Sequence, residues 1–414
     1  MRKTMVIALA LIILAGAGLY AGGSASRGTA SGKTKVEFFS LKREVYDIME
    51  KLIADFEAQN PDVEIEQTLT PDPDRVLVSR MAGKDTPEIF SSWANASFEQ
   101  RVDAGYVADI TGIPALANVR QEALDQTRIK GRDYLIPISY NTMGVWYNLD
   151  IFARYNLAPP KTWAEFLNVC ETLKAAGVTP ALICGKELEP VRQDSCVYLI
   201  SIPHWPDLNK DIAAKQVNFA DRGKPYSQEM RDMAQRVLQY FSYGQADIMG
   251  SGRDQIRNDF ATGKAAMYIE GSWAIPTFLN ANPNLKFALM PWPSVNAQDS
   301  RVTAFAGDFA ITYSATAKYP DIAKRFMTFM TSKEAAQYYA EKDGSISCIK
   351  GVEYVAPQLK DQMDFINSGH GVLPPDAIWS ARQQDAIGAA FQGLYVSKDI
   401  EKFCRDMQDA WNNL

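Results

Sequence analysis

Histidine is nearly missing from this chain: His204 and His370 are the only two in 414 residues. Five cysteines are present (Cys170, Cys184, Cys196, Cys348 and Cys404), none in a Cys-x-x-Cys pair, so a zinc site built on clustered Cys and His is not expected. Positive charge is not in excess either. Lys and Arg number 43 against 49 Asp and Glu, a formal net charge of −6. A nucleic-acid partner, which needs a basic stripe to displace counterions, is therefore not expected. Gly-x-Ser-x-Gly, a Walker loop and Gly-x-Gly-x-x-Gly after a strand are all missing. That removes the commonest marks of hydrolases, NTPases and dinucleotide enzymes. No cofactor is expected. Two carboxylates at a fixed separation suffice for glycoside hydrolysis, so a secreted glycoside hydrolase stands as the alternative to a non-enzyme.

Long apolar runs are scarce as well. Met5 to Leu14 is continuously apolar, follows Arg2-Lys3 and precedes the small-residue segment Ala15–Ala21. It is short for a membrane span of about 20 residues. The pattern fits a secretion signal over 1–21, cut after Ala21, with 22–32 as a Gly/Ser/Ala-rich leader. An uncleaved anchor is the alternative. Loss of Arg2 and Lys3 would take the formal charge from −6 to −8. No cysteine lies near the cut, so lipidation there is not available. Export to a periplasm follows. In that oxidising compartment an odd cysteine count leaves at least one unpaired within the chain. Cys184 with Cys196 is the best candidate pair, and five buried thiols acting as small hydrophobes is the competing expectation.

What is present is a globular α/β pattern. Lys35–Ser40 reads as a strand; Val45, Ile48, Met49, Leu52, Ile53 and Phe56 then recur at helical spacing, and Val63–Leu69 alternates as a second strand. Arg75–Ala82 reads as helix and Glu88–Ser92 as strand. Ligands of such sheets bind beyond the carboxyl ends of the strands, which favours Ser40–Glu44 and Trp93–Ser97 as lining loops. Val145-Trp146-Tyr147 is a strand, with Asp150 placed to cap a short helix Ile151–Tyr155. Thr162 and Glu165 form a capping box for a helix that Gly177 closes. Gly185–Gln228 shows no period, its landmark being Pro203-His204-Trp205-Pro206. Helices are expected over 228–241, 253–261, 321–331, 333–341, 378–392 and 398–411, and strands over 179–184, 265–270, 287–290 and 309–313.

Three stretches resemble the extracellular solute-binding protein family of carbohydrate ABC importers, including its multiple-sugar, α-galactoside and maltose-type members. They are Phe56-Glu57 with Asn60-Pro61, Val63 and Ile65-Glu66; Tyr147-Asn148 through Asp150, Phe152, Asn156-Leu157, Pro160, Thr162-Trp163 and Glu165-Phe166; and Gly263-Lys264-Ala265-Ala266-Met267 with Gly271-Ser272-Trp273. The similarity spans nearly the whole chain after the leader. It implies a two-lobe periplasmic-binding-protein fold of type II with several hinge crossovers. Lobe one would be 33–140 and 311–355, and lobe two 141–310 and 358–414. It also implies a monomer that holds a sugar between the lobes and delivers it to membrane permease subunits served by a separate ATPase.

Sugars present apolar ring faces and rims of hydroxyls, so flat aromatics and planar multidentate polar groups suit them. Trp93, at a strand end among small polar residues, is a candidate platform, with lobe packing as the alternative. Ser40 and Asn95 lie in the two expected lining loops. Lys42 and Arg43 could meet an acidic sugar, although such pairs are more often solvated, and Glu44 reads as the first-turn acid of its helix. Trp205 and Trp292, both flanked by prolines, are loop residues that could contact ligand or pack; Trp163 reads as structural. The resemblance implies a stacking role for Trp273 beside the Gly271 break, and a third platform at Trp379. It also implies polar contacts from Asn141, a carboxylate in maltose-type members, and from Asp308, which could otherwise cap a turn. Glycerol phosphate is a solute of similar relatives and remains an alternative.

Overall fold

The computed structural model describes residues 32–213 and 216–412. The expected signal segment 1–21 and nearly all of the leader lie outside them. Among the described residues twelve strands are formed: β1 (Thr34–Phe39), β2 (Val63–Thr68), β3 (Ile89–Ser92), β4 (Ile136–Asn141), β5 (Met143–Asn148), β6 (Thr179–Leu182), β7 (Ala265–Gly271), β8 (Phe287–Met290), β9 (Val302–Thr303), β10 (Phe305–Tyr313), β11 (Ile346–Ser347) and β12 (Gly371–Val372). They make a six-stranded sheet in the order β11-β4-β10-β3-β1-β2, a four-stranded sheet β6-β7-β5-β8, and the small ladder β12-β9.

In the larger sheet β1 runs parallel to β2 and β3, while β10 is antiparallel to β3 and β4. Because side chains alternate along a strand, each face needs its own cover. Val36, Phe38, Ile65 and Ile89 pack on the helices Tyr46–Gln59 and Pro320–Met330, whereas Phe39 and Phe90 pack on Leu77, Met81 and Phe98. The smaller sheet divides in the same way. Val145, Tyr147, Met267 and Ile269 face one core, and Trp146, Tyr268, Phe287 and Leu289 the other.

Among the described residues the chain passes between these two α/β units three times. The first crossing is β4 to β5 through Thr142; the second follows β9; the third follows β11. Side chains tie the crossings together. Thr303 Oγ1 accepts from the Met143 amide at 2.7 Å, and Gln362 Nε2 donates to Thr142 Oγ1 at 3.0 Å and to the Met143 carbonyl at 2.9 Å. The lobe boundary expected at 310/311 falls inside β10, whose pairing with β4 already begins at Phe305.

Several local expectations change. β4 was not legible in the sequence because it contains Pro137, which cannot donate to a ladder. The structure accommodates it opposite Ala310, next to a register shift between Phe309 and Ala310. The helix after β5 is Leu149–Arg154, capped by Asn148 and not by Asp150: Asn148 Oδ1 accepts from the Ile151 amide at 2.9 Å. Asn148→Ala is therefore expected to cost about 1 kcal/mol, read as a lower denaturation midpoint. Asp150→Ala, which breaks only an exposed pair with Lys286, should shift it by less than about 0.5 kcal/mol. Thr162 caps as expected, but the returning carboxylate of Glu165 accepts from the Lys161 amide, one residue before the cap.

The unpatterned stretch holds two helices, Leu188–Ile200 and Trp205–Ala213. The first is buried continuously from Asp194 to Ile200, so its polar face is confined to the first two turns and marks the period only weakly. The 378–392 helix is in fact Ala381–Ser397, started by a Ser380–Gln383 capping box. No Cys184–Cys196 bridge forms. All five thiols are free and buried, consistent with their role as small hydrophobes.

Candidate ligand cleft between the two sheets

The carboxyl ends of β1, β3 and β4 and the middle of β10 face the second unit across a cleft of about 420 Å³. This is within the range of small-molecule sites, roughly 300–1,000 Å³. A wider depression near Phe56 and Phe329 lies on the outer side of the larger sheet's helices, away from these strand ends. The first unit contributes Lys42, Glu44, Trp93, Asn95, Asn141 and Asp308; the second contributes Glu189, Arg192, Arg253, Trp273, Asp376 and Gln384.

Seven of the ten expected ligand residues meet here or shape the cleft directly. Trp93 and Trp273 line it from opposite sides, both half-buried. Asn95 lines it while capping the helix Ala96–Asp103, its Oδ1 accepting from the Phe98 amide at 3.1 Å. Gly271 closes β7 beneath the Trp273 indole. A Cβ there would stand 2.2–2.4 Å from ring atoms, so only glycine lets the ring lie over the strand end. Gly307 allows a similarly close approach of β10 to Ala94, beside Trp93.

Lys42 is not solvated. It is 4% exposed, and its Nζ lies 2.7 Å from Asp308 Oδ2 and 3.2 Å from Asp343 Oδ1. Burial opposes its charge, yet Asp308 and then Asp343 outweigh burial and hold the ammonium well above the ordinary lysine range. Asp308 is joined by Ser139 Oγ and Asn141 Nδ2, each at 3.3 Å. A turn-capping role is not what holds it, since it sits within β10. Arg43 is exposed and bonds the Pro71 carbonyl, outside the cleft.

Three expected contacts are elsewhere. Ser40 is fully buried at the end of β1, its hydroxyl turned to the Lys42 carbonyl at 3.2 Å. Trp205 is 1% exposed inside the second unit's core, where it starts a helix and packs rather than forming a loop contact. Trp379 is equally buried, edge-on to Trp411 at 5.4 Å, so it offers no face to the cleft. Its neighbours Asp376, Ala377 and Ala381 line the cleft in its place. Trp292 is also a core residue, and Trp163 is structural as read, stacked on Phe166.

Three of the residues not anticipated come from the unrecognised helix. Glu189, Arg192 and Gln193 fall at i, i+3 and i+4, the polar strip of an otherwise buried helix, and that spacing was the available signal. Arg192 reaches Asp376 at 3.2 Å and Gln384. Glu44, read as a helix-turn acid, lines the cleft and faces Arg257 of the other unit at 3.7 Å. Behind it lies buried Glu270. Burial would raise its pKa, but Arg257 and Arg253 outweigh that and hold it below the ordinary glutamate range. Asp194 has no such surplus of cations. Burial and then Glu270 push it well above the usual carboxylate range.

Residues 51–365 match the model of the bacterial extracellular solute-binding proteins. The chain belongs to that family. Among this solute-binding protein's relatives is the multiple sugar-binding protein of Streptococcus mutans, 29% identical over 323 residues, which are 77% of this chain and 76% of the relative. The melibiose/raffinose/stachyose-binding protein MelE of Bacillus subtilis is 24% identical over 355 residues, 82% of this chain and 80% of the relative. Among solved structures, the solute-binding protein RafE in complex with raffinose superposes with a TM-score of 0.84 at 24% identity, covering 92% of this chain and 99% of the other. The apo form of RafE from Streptococcus pneumoniae gives 0.78 at 23% identity, covering 95% and 99%. The fold is thus the two-lobe, type II arrangement of solute-binding proteins.

Proposed function

We propose that this solute-binding protein captures a sugar, a mono- or oligosaccharide, between its lobes and hands it to membrane permease subunits driven by a separate ATPase. The observation that carries this reading is the pair of indoles, Trp93 and Trp273, standing on opposite lobes of one cleft whose rim is made of carboxylates, amides and guanidinium groups. Indoles suit the apolar faces of sugar rings, and each rim group can engage two adjacent hydroxyls. The names of relatives that bind multiple sugars, melibiose, raffinose and stachyose support the same class. Proteins of this class close by hinge motion. A sugar touching both lobes favours the closed form through its differential affinity for the two states.

In this reading the protein acts as an exported monomer and not as an enzyme. Residues 1–21 are its cleaved signal, and the periplasm is its compartment, with no cysteine lipid anchor. Lobe one takes 33–141 and 305–355, and lobe two takes 142–304 and 356–412, following the membership of the two sheets.

The test is a thermal-shift screen of the protein lacking residues 1–21 against neutral mono- and oligosaccharides, uronic acids and glycerol 3-phosphate. Ligand at ~100 times its dissociation constant adds about 2.7 kcal/mol of stability. A neutral sugar that shifts the transition and is recovered chemically intact is the expected result. Accumulating hydrolysis products would make the protein a glycoside hydrolase, and no response to any sugar would overturn the reading. Gly271→Ala should weaken that sugar at least tenfold, because the new methyl group displaces the Trp273 ring. Calorimetry with the same sugar, alongside the quenching of Trp fluorescence, reads both effects.

A further inference from the structure

The cleft is lined by six carboxylates (Glu44, Asp72, Asp74, Glu189, Asp308, Asp376) and three cations (Lys42, Arg192, Arg253). Each cation already faces protein carboxylate: Arg192 faces Asp376 at 3.2 Å, Arg253 faces Glu189 at 3.2 Å, and Lys42 faces two acids. The second of those acids, Asp343, is unusual. It is fully buried, it does not line the cleft, and it is the last residue of the helix Lys333–Asp343. A carboxylate at a helix C-terminus sits at the unfavourable end of the dipole, and burial adds a desolvation penalty. Burial does push its pKa up, against the pull of Lys42. Holding the ammonium in place does not require it, because Asp308 alone is within 2.7 Å.

What Asp343 changes is the charge that a ligand meets. Its two oxygens stand 3.2 and 3.3 Å from Nζ, near-equal distances at which one N–H of Lys42 serves both, while Asp308 at 2.7 Å takes another. An ammonium has three N–H donors. One remains for the cleft, on a group whose positive charge is matched by two carboxylates. A hydroxyl can accept that hydrogen bond. An anion would accept it only while lying against Asp308.

We infer that Asp343 is a specificity-determining residue: acting through Lys42, it makes the cleft a site for uncharged polyols and turns away carboxylated and phosphorylated solutes. The inference rests on the sugar-binding reading and narrows it to one charge class. Asp343 is a positioning residue, since it touches Lys42 and not the ligand.

Isothermal titration of the wild type, Asp343→Asn and Asp343→Glu with raffinose, digalacturonate and glycerol 3-phosphate tests this. The wild type is expected to bind raffinose at least 100-fold more tightly than either anion. Asp343→Asn should lower that ratio at least tenfold, and Asp343→Glu, which keeps the charge, should restore most of it. A purely structural role would weaken all three ligands together and leave the ratio unchanged, which would overturn the inference. So would a wild type that binds glycerol 3-phosphate as tightly as raffinose, a result available even if Asp343→Asn fails to fold. If the wild type bound no raffinose but did bind the anions, the sugar reading itself would fall. Raffinose binding with an unchanged ratio would remove this inference alone.

Discussion

Trp273→Ala is expected to weaken sugar binding by at least 100-fold, equivalent to about 2.7 kcal/mol, while leaving the protein folded. The indole projects from the turn Ser272–Ala274 immediately after β7, over Gly271, and is partly open to the cleft. Its other side rests on core residues of the second lobe, so truncation does cost some stability, on the order of 1–2 kcal/mol. That loss is small beside what the ligand loses. A sugar ring stacked on an indole buries apolar area that alanine cannot cover, and water enters where the ring stood. The two effects separate cleanly in experiment: calorimetry reads the affinity, and unfolding without ligand reads the stability. A parallel substitution at Trp205 or Trp379 should show the reverse. Both are 1% exposed in the core, and large-to-small changes of such residues cost about 3–5 kcal/mol. Unchanged sugar affinity in Trp273→Ala would remove the stacking role from the indole.

The contrast between these tryptophans shows where the sequence was legible. Strand β7 with Gly271 and Trp273 could be read because a buried strand, a glycine and an aromatic follow one another locally. The first βαβ unit could be read for the same reason, since the helix Tyr46–Gln59 keeps a clean apolar stripe between two alternating strands. Trp205 and Trp379 could not, because their surroundings are assembled from distant chain segments. Flanking prolines suggested a loop at Trp205, which begins a helix, and the resemblance implied a platform at Trp379, which packs on Trp411. The helix Leu188–Ile200 was hidden by its own burial, and with it went Glu189, Arg192 and Gln193. The burial and pairing of Lys42 were hidden for an electrostatic reason. Sequence shows a basic pair beside a strand end, and only the fold brings Asp308 and Asp343 to it from positions 266 and 301 residues away.

Lys42→Met is expected to cost about 3–5 kcal/mol of stability. The side-chain volume is nearly kept, so packing is not the cause. Removing the ammonium leaves Asp308 and Asp343 buried and facing each other without a counter-charge. The sign of the pH dependence follows from the shifts. In the wild type Lys42 is raised, so its contribution is complete below the unfolded lysine pKa and is lost only in strong alkali, as pH rises through the folded value. Asp343 is also raised, the reverse of the usual carboxylate, so its charging already opposes folding as pH rises above the unfolded value. Without Lys42 this opposition grows. The difference between Lys42→Met and wild type should therefore be greatest at neutral pH and shrink towards pH 4, as Asp343 takes up its proton. Urea denaturation at about pH 7 and about pH 4 measures it. The double variant Lys42→Met/Asp343→Asn should be more stable at pH 7 than Lys42→Met alone, because one uncompensated carboxylate has gone. A Lys42→Met protein equally destabilised at both pH values would mean that packing around the lysine stem, and not its charge, holds this floor of the cleft together.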